Sequence, residues 1–158
     1  MKKLIFASFF MAVLLYAGLA NADSQTGNLN VSASVNSVCS VGTSTLSFGT
    51  YDPSSGTDLD AQGTVSITCT LGTSYTVALD LGAQPNGSVR RMIHGTYHLN
   101  YEIYNDSGRL TIWNSSNTVS GTGTGSADSI PAYGRVPKQQ PSIGSGSYSD
   151  TVLITVNY

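Results

Sequence analysis

The chain has 158 residues, a length that suits one ordinary domain. Only 10% of the residues are charged and the formal net charge is −2, so the clustered Lys and Arg of a nucleic-acid-binding face are missing, and we expect no nucleic-acid partner. No segment repeats apolar residues with a helical period, which predicts an all-β protein.

The first 22 residues have the pattern of a secretory signal peptide. Lys2 and Lys3 precede an apolar stretch, and Ala20-Asn21-Ala22 supplies the small residues of a cleavage site. A membrane anchor is the alternative, but the apolar run is short for a spanning helix. Cleavage after Ala22 predicts an exported chain that starts at Asp23 and carries five basic and nine acidic side chains, a net charge of −4.

Residues 27–37 alternate apolar and polar side chains, as a half-buried strand does. Leu29, Val31, Ala33 and Val35 share one face of this segment. The segment is either the first strand of its own subunit or a strand that is carried to a neighbouring chain.

The two cysteines, Cys39 and Cys69, both lie in the exported part of the chain. An even number of cysteines in an oxidising compartment favours a disulfide over a metal site, which would need further ligands nearby. A disulfide that closes a loop of about 30 residues contributes roughly 3.5 kcal/mol in the chain-entropy description.

Short β-branched and aromatic runs recur between Gly, Asn, Asp and Ser, a pattern typical of a sandwich or barrel. The predicted strands are residues 27–36, 45–50, 63–70, 75–81, 98–104, 109–113, 132–136 and 149–158.

The last of these strands has the strongest pattern. Val152, Ile154, Val156 and Tyr158 form one apolar face. If the strand lies at an edge, its exposed backbone groups would attract another chain.

Two connections between strands are informative. Asn105-Asp106-Ser107-Gly108 predicts a tight hairpin turn in which Gly108 takes a positive φ. Residues 114–129 are polar and glycine-rich, which predicts a long surface loop.

The sequence offers no convincing catalytic or metal-binding set. His94 and His98 would lie roughly 13 Å apart on a strand, and no acidic partner completes a zinc motif. Asp52, Asp58 and Asp60 lack the spacing of a calcium loop, so a solvated turn is favoured. We therefore expect no catalytic residue, no metal and no cofactor.

The aromatic residues allow two interpretations. Nine tyrosines and Trp113 either pack in the core, which their alternation within predicted strands favours, or line a sugar-binding face. Glu102 is predicted to point outward on the polar face of its strand, without a second carboxylate to form an acid/base pair.

A series of motifs follows the exported chain from its start to its last strand. They are Thr26-Gly27-x-Leu29-x-Val31, Cys39-Ser40-Val41, Leu46-x-Phe48-Gly49-x-Tyr51, Val65-x-Ile67-x-Cys69, Leu99-x-Tyr101-x-Ile103-Tyr104-x-Asp106, Tyr133-Gly134-Arg135-Val136-Pro137 and Gly146-x-Tyr148-Ser149-Asp150-Thr151-Val152. In order and spacing they resemble the spore coat protein U domain, the family to which the pilins of archaic chaperone-usher systems belong.

This resemblance implies an incomplete immunoglobulin-like β-sandwich that is completed by a donor strand from a neighbouring subunit. A periplasmic pilus chaperone would first lend a strand, and an outer-membrane usher would exchange it for the extension of another pilin subunit. The implied division is a signal peptide at residues 1–22, a donor-strand extension at residues 23–38 and a pilin domain at residues 39–158.

The resemblance also implies roles for individual residues. Leu29, Val31, Ala33 and Val35 would be the donor side chains. The strand that borders the acceptor groove and faces the chaperone would contain Val152, Ile154, Val156 and Tyr158. Cys39 and Cys69 would anchor the base of the extension, although the polar stretch before Gly27 is short for a linker.

The expected function is that of a structural subunit of a surface pilus on a Gram-negative bacterium, which supports adhesion and biofilm formation. One alternative is a spore or cell-surface coat protein with the same domain. Another is a secreted monomeric carbohydrate-binding module. An enzyme is the least favoured class because no nucleophile, acid/base pair or metal set is present.

Overall fold

The computed structural model describes residues 22–158, so the predicted signal peptide lies outside the described residues except for Ala22. The chain divides into two units, Met1–Ser34 and Val35–Tyr158. Residues 22–38 are exposed throughout and carry no secondary structure. The predicted strand at residues 27–36 is therefore absent from the sheets, because this segment makes no ladder that would satisfy its N–H and C=O groups.

The regular secondary structure of residues 39–158 consists of strands. The eight strands are β1 (Cys39–Val41), β2 (Leu59–Cys69), β3 (Ser74–Leu79), β4 (Arg90–His94), β5 (Tyr97–Tyr104), β6 (Val119–Thr122), β7 (Ala127–Val136) and β8 (Ile154–Asn157). Within residues 22–158 there is no helix that could span a membrane. The all-β prediction is confirmed.

The strands form two sheets in which every pair is antiparallel. The five-stranded sheet has the order β1-β2-β7-β5-β4, and the three-stranded sheet has the order β6-β3-β8. Alternate side chains of the two sheets meet in one apolar core that includes Ile67, Val77 and Val136, each wholly buried. This is the sandwich that the short strands predict.

The core-packing interpretation of the aromatic residues is confirmed for the largest of them. Trp113 is wholly buried and its indole N–H donates to the carbonyl of Val77 at 2.9 Å. Tyr75 and Tyr101 are also buried, whereas Tyr97 is about half exposed at 47%. The aromatic residues therefore do not form one exposed face.

The prediction of a long loop at residues 114–129 is wrong, because this stretch contains β6 and the start of β7. β6 pairs with β3, and its Gly121 lies against the ring of Tyr75, where a Cβ atom would clash with the ring. Glycine here makes room for a large core side chain. In the sequence, the same glycine indicates a loop.

Two other predicted strands are reduced to single bridges. Residues 45–50 contribute only the bridge between Thr45 and Thr64, and residues 109–113 only the bridge between Tyr104 and Ile112. β4 was not predicted, because Arg90 and Arg91 interrupt its apolar pattern.

The turn that follows β5 is held by Asp106, and its positive φ belongs to Arg109 (56°) rather than to Gly108. The Asp106 carboxylate accepts the N–H groups of Thr111 at 2.7 Å and Leu110 at 3.1 Å. These bonds, the Thr111 bond first, lower the pKa of Asp106. The Asp106 carboxylate thus stabilises the turn, whereas the sequence pattern assigns this role to Gly108.

Glu102 corrects another prediction, because it is buried and does not point to solvent. Its carboxylate pairs with the guanidinium of Arg90, which is wholly buried, at 3.0 Å. A buried charge is tolerated when it is paired and hydrogen-bonded, and Arg90 also donates to the carbonyls of Asp80 and Trp113.

Candidate functional site

The C-terminal strand β8 lies at the edge of the three-stranded sheet, and within residues 22–158 it pairs with β3 alone. Val152, Ile154 and Val156 are half-buried against the core, as the alternating pattern predicts. Tyr158 continues the pattern in sequence but is 61% exposed. The structure thus brings three of the four predicted groove residues to one side of an edge strand.

The outer edge of β8 has unpaired backbone groups. Asp80 donates its N–H to the carbonyl of Leu153 at 3.0 Å, which fixes the phase of the ladder. In an antiparallel pair, alternate residues direct their N–H and C=O to opposite sides of the strand. Ile154 and Val156 therefore direct theirs to the free edge, while their side chains face inward.

An open cleft runs beside this edge, between the two sheets. Its volume is about 440 Å³. One wall is formed by Val152 and Ile154, and the opposite wall by Leu46 and Phe48 from the segment that follows β1. Buried side chains of both sheets form the floor: Val65, Leu79, Tyr101, Ile103 and Ala132.

The cleft continues into a second cavity of about 700 Å³, which shares Leu46, Phe48, Met92 and Tyr148 with the first. The ring of Phe48 packs edge-on against that of Tyr101, with 5.9 Å between the centroids. The groove therefore has an aromatic centre and an apolar floor, which suit an extended segment with alternating apolar side chains.

β1 is an edge strand of the five-stranded sheet and lies near β8. Cα atoms of β1 and β8 approach to within 8 Å, but within residues 22–158 the two strands form no ladder with each other.

The disulfide between Cys39 and Cys69 is confirmed. It joins directly opposed residues of β1 and β2. Next to it, Thr70 donates its N–H to the carbonyl of Val38 at 2.9 Å and its hydroxyl accepts the N–H of Val38 at 3.1 Å. The chain that follows the N-terminal extension is therefore fixed at its first strand.

The four predicted donor residues are all exposed. The three largest are solvent-accessible to a high degree, Leu29 at 88%, Val31 at 84% and Val35 at 85%. A row of exposed apolar side chains is a feature of an interaction segment. In an extended chain the row from Leu29 to Val35 would be about 20 Å long, as would the row from Val152 to Tyr158.

Tyr101 and Asp150 form a hydrogen-bonded pair in the cleft, whose lining also includes the polar residues Ser44, Thr45, Thr64, Ser149 and Thr151. The hydroxyl of Tyr101 donates to the Asp150 carboxylate at 2.7 Å, and both residues line the cleft. Burial, followed by this hydrogen bond to Asp150, raises the pKa of Tyr101 well above its ordinary value. Asp150 stands in the motif from Gly146 to Val152, but the alternating pattern does not predict that its carboxylate lines the cleft, because charged residues normally lie at the surface.

Two of the acidic residues considered for calcium, Asp58 and Asp60, are engaged by an arginine. Asp60 accepts two hydrogen bonds from Arg135, at 2.7 and 2.9 Å, and Asp58 lies 3.5 Å from the same guanidinium. The Arg135 hydrogen bond lowers the pKa of Asp60. Among residues 22–158, no group of three or more His, Cys, Asp or Glu side chains is placed to hold a metal ion.

Comparison with known proteins agrees with this geometry. The model of the Spore Coat Protein U domain matches residues 25–155. A curated relative, "Protein U" of Myxococcus xanthus, is 36% identical over 176 aligned positions, which cover 99% of this chain and 98% of the relative.

Some solved structures have a fold similar to that of this chain. A complex of the chaperone CsuC with the tip adhesion subunit CsuE, from archaic chaperone-usher Csu pili of Acinetobacter baumannii, contains a chain with 24% identity and a TM-score of 0.60. The match covers 78% of the present chain and spans 40% of the length of that chain. A chaperone-usher pilus structure matches 87% of this chain and 98% of its own at 13% identity and a TM-score of 0.47. The likeness to the chain of the CsuC–CsuE complex, together with the two antiparallel sheets, identifies the fold as an immunoglobulin-like sandwich.

Proposed function

The chain belongs to the spore coat protein U domain family, and from this we propose that it is a structural subunit of a surface fibre built by donor-strand complementation. The observation that carries the proposal is the open groove beside β8, where an apolar cleft and an unpaired strand edge lie together. An inserted strand would satisfy both, because its backbone pairs with the edge and its alternate side chains fill the cleft.

The donor would be the exposed alternating segment of another copy. Burying Leu29, Val31 and Val35 contributes roughly 1.5 to 3 kcal/mol per side chain before entropy is deducted. Each ladder hydrogen bond adds about 1 kcal/mol. We expect the donor to run antiparallel to β8, since antiparallel pairing is the slightly more stable arrangement.

The proposed assembly route follows from the same groove. Until a donor arrives, a periplasmic chaperone would cover the groove, and an outer-membrane usher would exchange the chaperone for the next subunit. The chain would then be part of a pilus on the surface of a Gram-negative bacterium, where it would support adhesion and biofilm formation. The likeness in fold to a chain of a chaperone and tip-adhesin complex supports this route.

The direct test is a self-completed chain, in which residues 23–158 are followed, after Tyr158 and a short flexible linker, by a second copy of residues 27–37. We expect this chain to stay monomeric and to melt at a higher temperature than residues 23–158 alone. The control carries Asp in place of Leu29, Val31 and Val35 in the added copy and should gain nothing. If both chains melt like residues 23–158 alone, the groove does not accept this segment and the proposal fails.

A second candidate is a cell-surface or spore coat protein, which the description of the matching family favours. The same joint between subunits would build a layer instead of a fibre. Electron microscopy of producing cells separates the two, since thin fibres support the pilus and a continuous layer supports the coat.

A monomeric sugar-binding module and an enzyme are less well supported. Trp113, the residue best suited to stack on a sugar, is wholly buried and hydrogen-bonded to Val77. The family and fold are those of structural subunits, which supports a role other than catalysis.

A further inference from the structure

β8 is a short strand with one unpaired edge, and such strands fray unless they are held by other contacts. Its two ends are held very differently. The C-terminal end reaches Asn157, whose only strand partner is Thr76 of β3. At the N-terminal end, the chain that leads into the strand is tied to several parts of the sandwich.

The first tie is Asp80, the residue that follows β3. Its carboxylate accepts the N–H of Leu153 at 2.8 Å and that of Gly82 at 2.9 Å. Its backbone carbonyl, the ordinary ladder acceptor at this position, is instead occupied by the guanidinium of Arg90 at 2.6 and 2.9 Å. The side chain thus replaces the carbonyl in the ladder, and β8 is connected to the buried pair of Arg90 and Glu102.

The second tie is Asp150. Its carboxylate accepts the N–H groups of Ala83 at 2.9 Å and Thr151 at 2.8 Å, and the hydroxyl of Tyr101 at 2.7 Å. Asp150 therefore joins the chain entering β8 to the connection after β3 and to β5 of the opposite sheet. Gly82 lies directly against this carboxylate, where a Cβ atom would clash with it.

A third contact comes one residue earlier. Ser149 exchanges two backbone hydrogen bonds with Ile93 of β4, at 2.9 and 3.2 Å. Over residues 149–153 the chain is thus fixed to both sheets of the sandwich, while the far end of β8 has only its ladder.

We propose that Asp80 and Asp150 form a clasp that holds the acceptor strand β8 in register with β3 while its outer edge is still unpaired. This inference rests on the proposed function, since it describes how β8 is held in place before a donor strand binds. Register is the property at stake, because a slip of one residue would turn Val152, Ile154 and Val156 away from the cleft. Asp80 and Asp150 are positioning residues: they act through β8 and need not touch the donor.

The structure offers a matched control. Tyr75 donates to Asp128 at 2.8 Å, a bond of the same chemistry as that between Tyr101 and Asp150, and Asp128 lies on β7. Asp150→Ala and Asp128→Ala each leave the hydroxyl of a buried tyrosine without its partner, and Asp150→Ala also removes the acceptor of the N–H groups of Ala83 and Thr151. A general loss of stability would therefore appear in both, whereas a loss of register in β8 should appear only in Asp150→Ala.

The measurement is hydrogen exchange of the backbone amides of Leu153, Thr155 and Asn157, which point toward β3, read by mass spectrometry at single-residue resolution on residues 23–158. In Asp150→Ala we expect these amides to exchange about tenfold faster than in the parent chain, as the loss of a hydrogen-bonded anchor implies. In Asp128→Ala they should exchange at the parent rate. Asp150→Asn keeps one acceptor oxygen and should lie between the two.

If Asp150→Ala does not fold, Tyr101→Phe compared with Tyr75→Phe gives the same test with a milder change. The clasp is refuted if β8 exchanges equally fast in both members of either pair. A second measurement is the affinity for a synthetic peptide of residues 27–37, which should fall in Asp150→Ala more than in Asp128→Ala. If the parent chain binds no peptide, the proposed function fails, and the exchange rates still decide the clasp.

Discussion

Two segments of this chain have nearly the same sequence pattern and very different environments. Residues 29–35 and 152–158 each place four apolar side chains on alternate positions. The second forms a strand against β3, whereas the first carries no secondary structure and leaves Leu29 88% exposed. Alternation therefore predicts the geometry that a segment can adopt, and a partner edge decides whether it does so.

The difference matters because the two segments would complete each other. β8 has an unpaired edge beside a cleft, and the extension has an apolar row without cover. The following predictions test this relation, starting with the largest expected effect.

The largest effect is expected from a charge in the extension. Val31→Asp should abolish fibre growth, because a carboxylate would have to enter the apolar cleft without a partner. Binding of a chaperone should be unaffected, because under the proposed route the chaperone would cover the groove and would not touch the extension. Electron microscopy of mutant cells and co-purification with the chaperone measure the two properties.

The matched control is Asn30→Asp, which puts the same charge on the opposite face of the extension. It should leave fibre growth intact. Normal fibres from Val31→Asp would show that residues 29–35 are not the donor.

The second effect concerns the disulfide at the start of the domain, directly after the extension. Replacing both cysteines, Cys39→Ser with Cys69→Ser, should lower the free energy of unfolding of the self-completed chain by roughly 3.5 kcal/mol, because the loop between them is no longer closed. Urea unfolding monitored by circular dichroism measures the change. The parent chain under reducing conditions should unfold at the same urea concentration as the variant, and a clear difference would show an effect other than loss of the disulfide.

The sequence reveals much of this arrangement because the relevant signals are local. Two cysteines in an exported chain predict their own pairing, and the alternation at Val152 and Ile154 predicts which side of the last strand is buried. Both are confirmed. Most strands of the five-stranded sheet are recognisable for the same reason.

The rest could not be predicted, because it depends on residues that are distant in the chain. Glu102 is buried only because Arg90 meets it across two paired strands. β6 exists because Gly121 fits over the ring of Tyr75, although its sequence resembles a loop. The role of Asp150 depends on Tyr101 and Ala83, which lie 49 and 67 positions away in sequence.

A smaller effect is expected when valine is replaced by alanine at three positions. In the self-completed chain, Val156→Ala should lower the free energy of unfolding by about 1 kcal/mol, since Val156 is half-buried. Val35→Ala in the original extension should change it by less than about 0.3 kcal/mol, because this side chain is 85% exposed. Val35→Ala in the added copy should cost about as much as Val156→Ala.

Urea unfolding of the three variants tests this series. The decisive comparison is between the two positions of Val35→Ala, which share the same local sequence. Equal stability of these two variants would mean that the added copy does not enter the cleft.

The smallest effect per residue is expected from alkaline pH, and at Tyr101 it should act on the acceptor side. From residue 23 to residue 38 the only ionisable side chain is Asp23, whereas the acceptor side contains Tyr101. Burial and the bond to Asp150 raise the pKa of Tyr101 above its ordinary value of 10. Burial and Asp128 likewise raise that of Tyr75, to about 12.

For groups with a raised pKa, the stabilisation is complete below pH 10 and is lost as the pH rises toward the folded-state value, because the unfolded chain ionises first. At pH 10.5 the expected loss is about 0.8 kcal/mol for each tyrosine. Thermal unfolding of the self-completed chain from pH 8 to pH 11 measures it. In Tyr101→Phe the free energy of unfolding should fall less steeply with pH, because the contribution of Tyr101 is removed. A decline identical to that of the parent chain would show that Tyr101 ionises freely and is not shielded by the cleft.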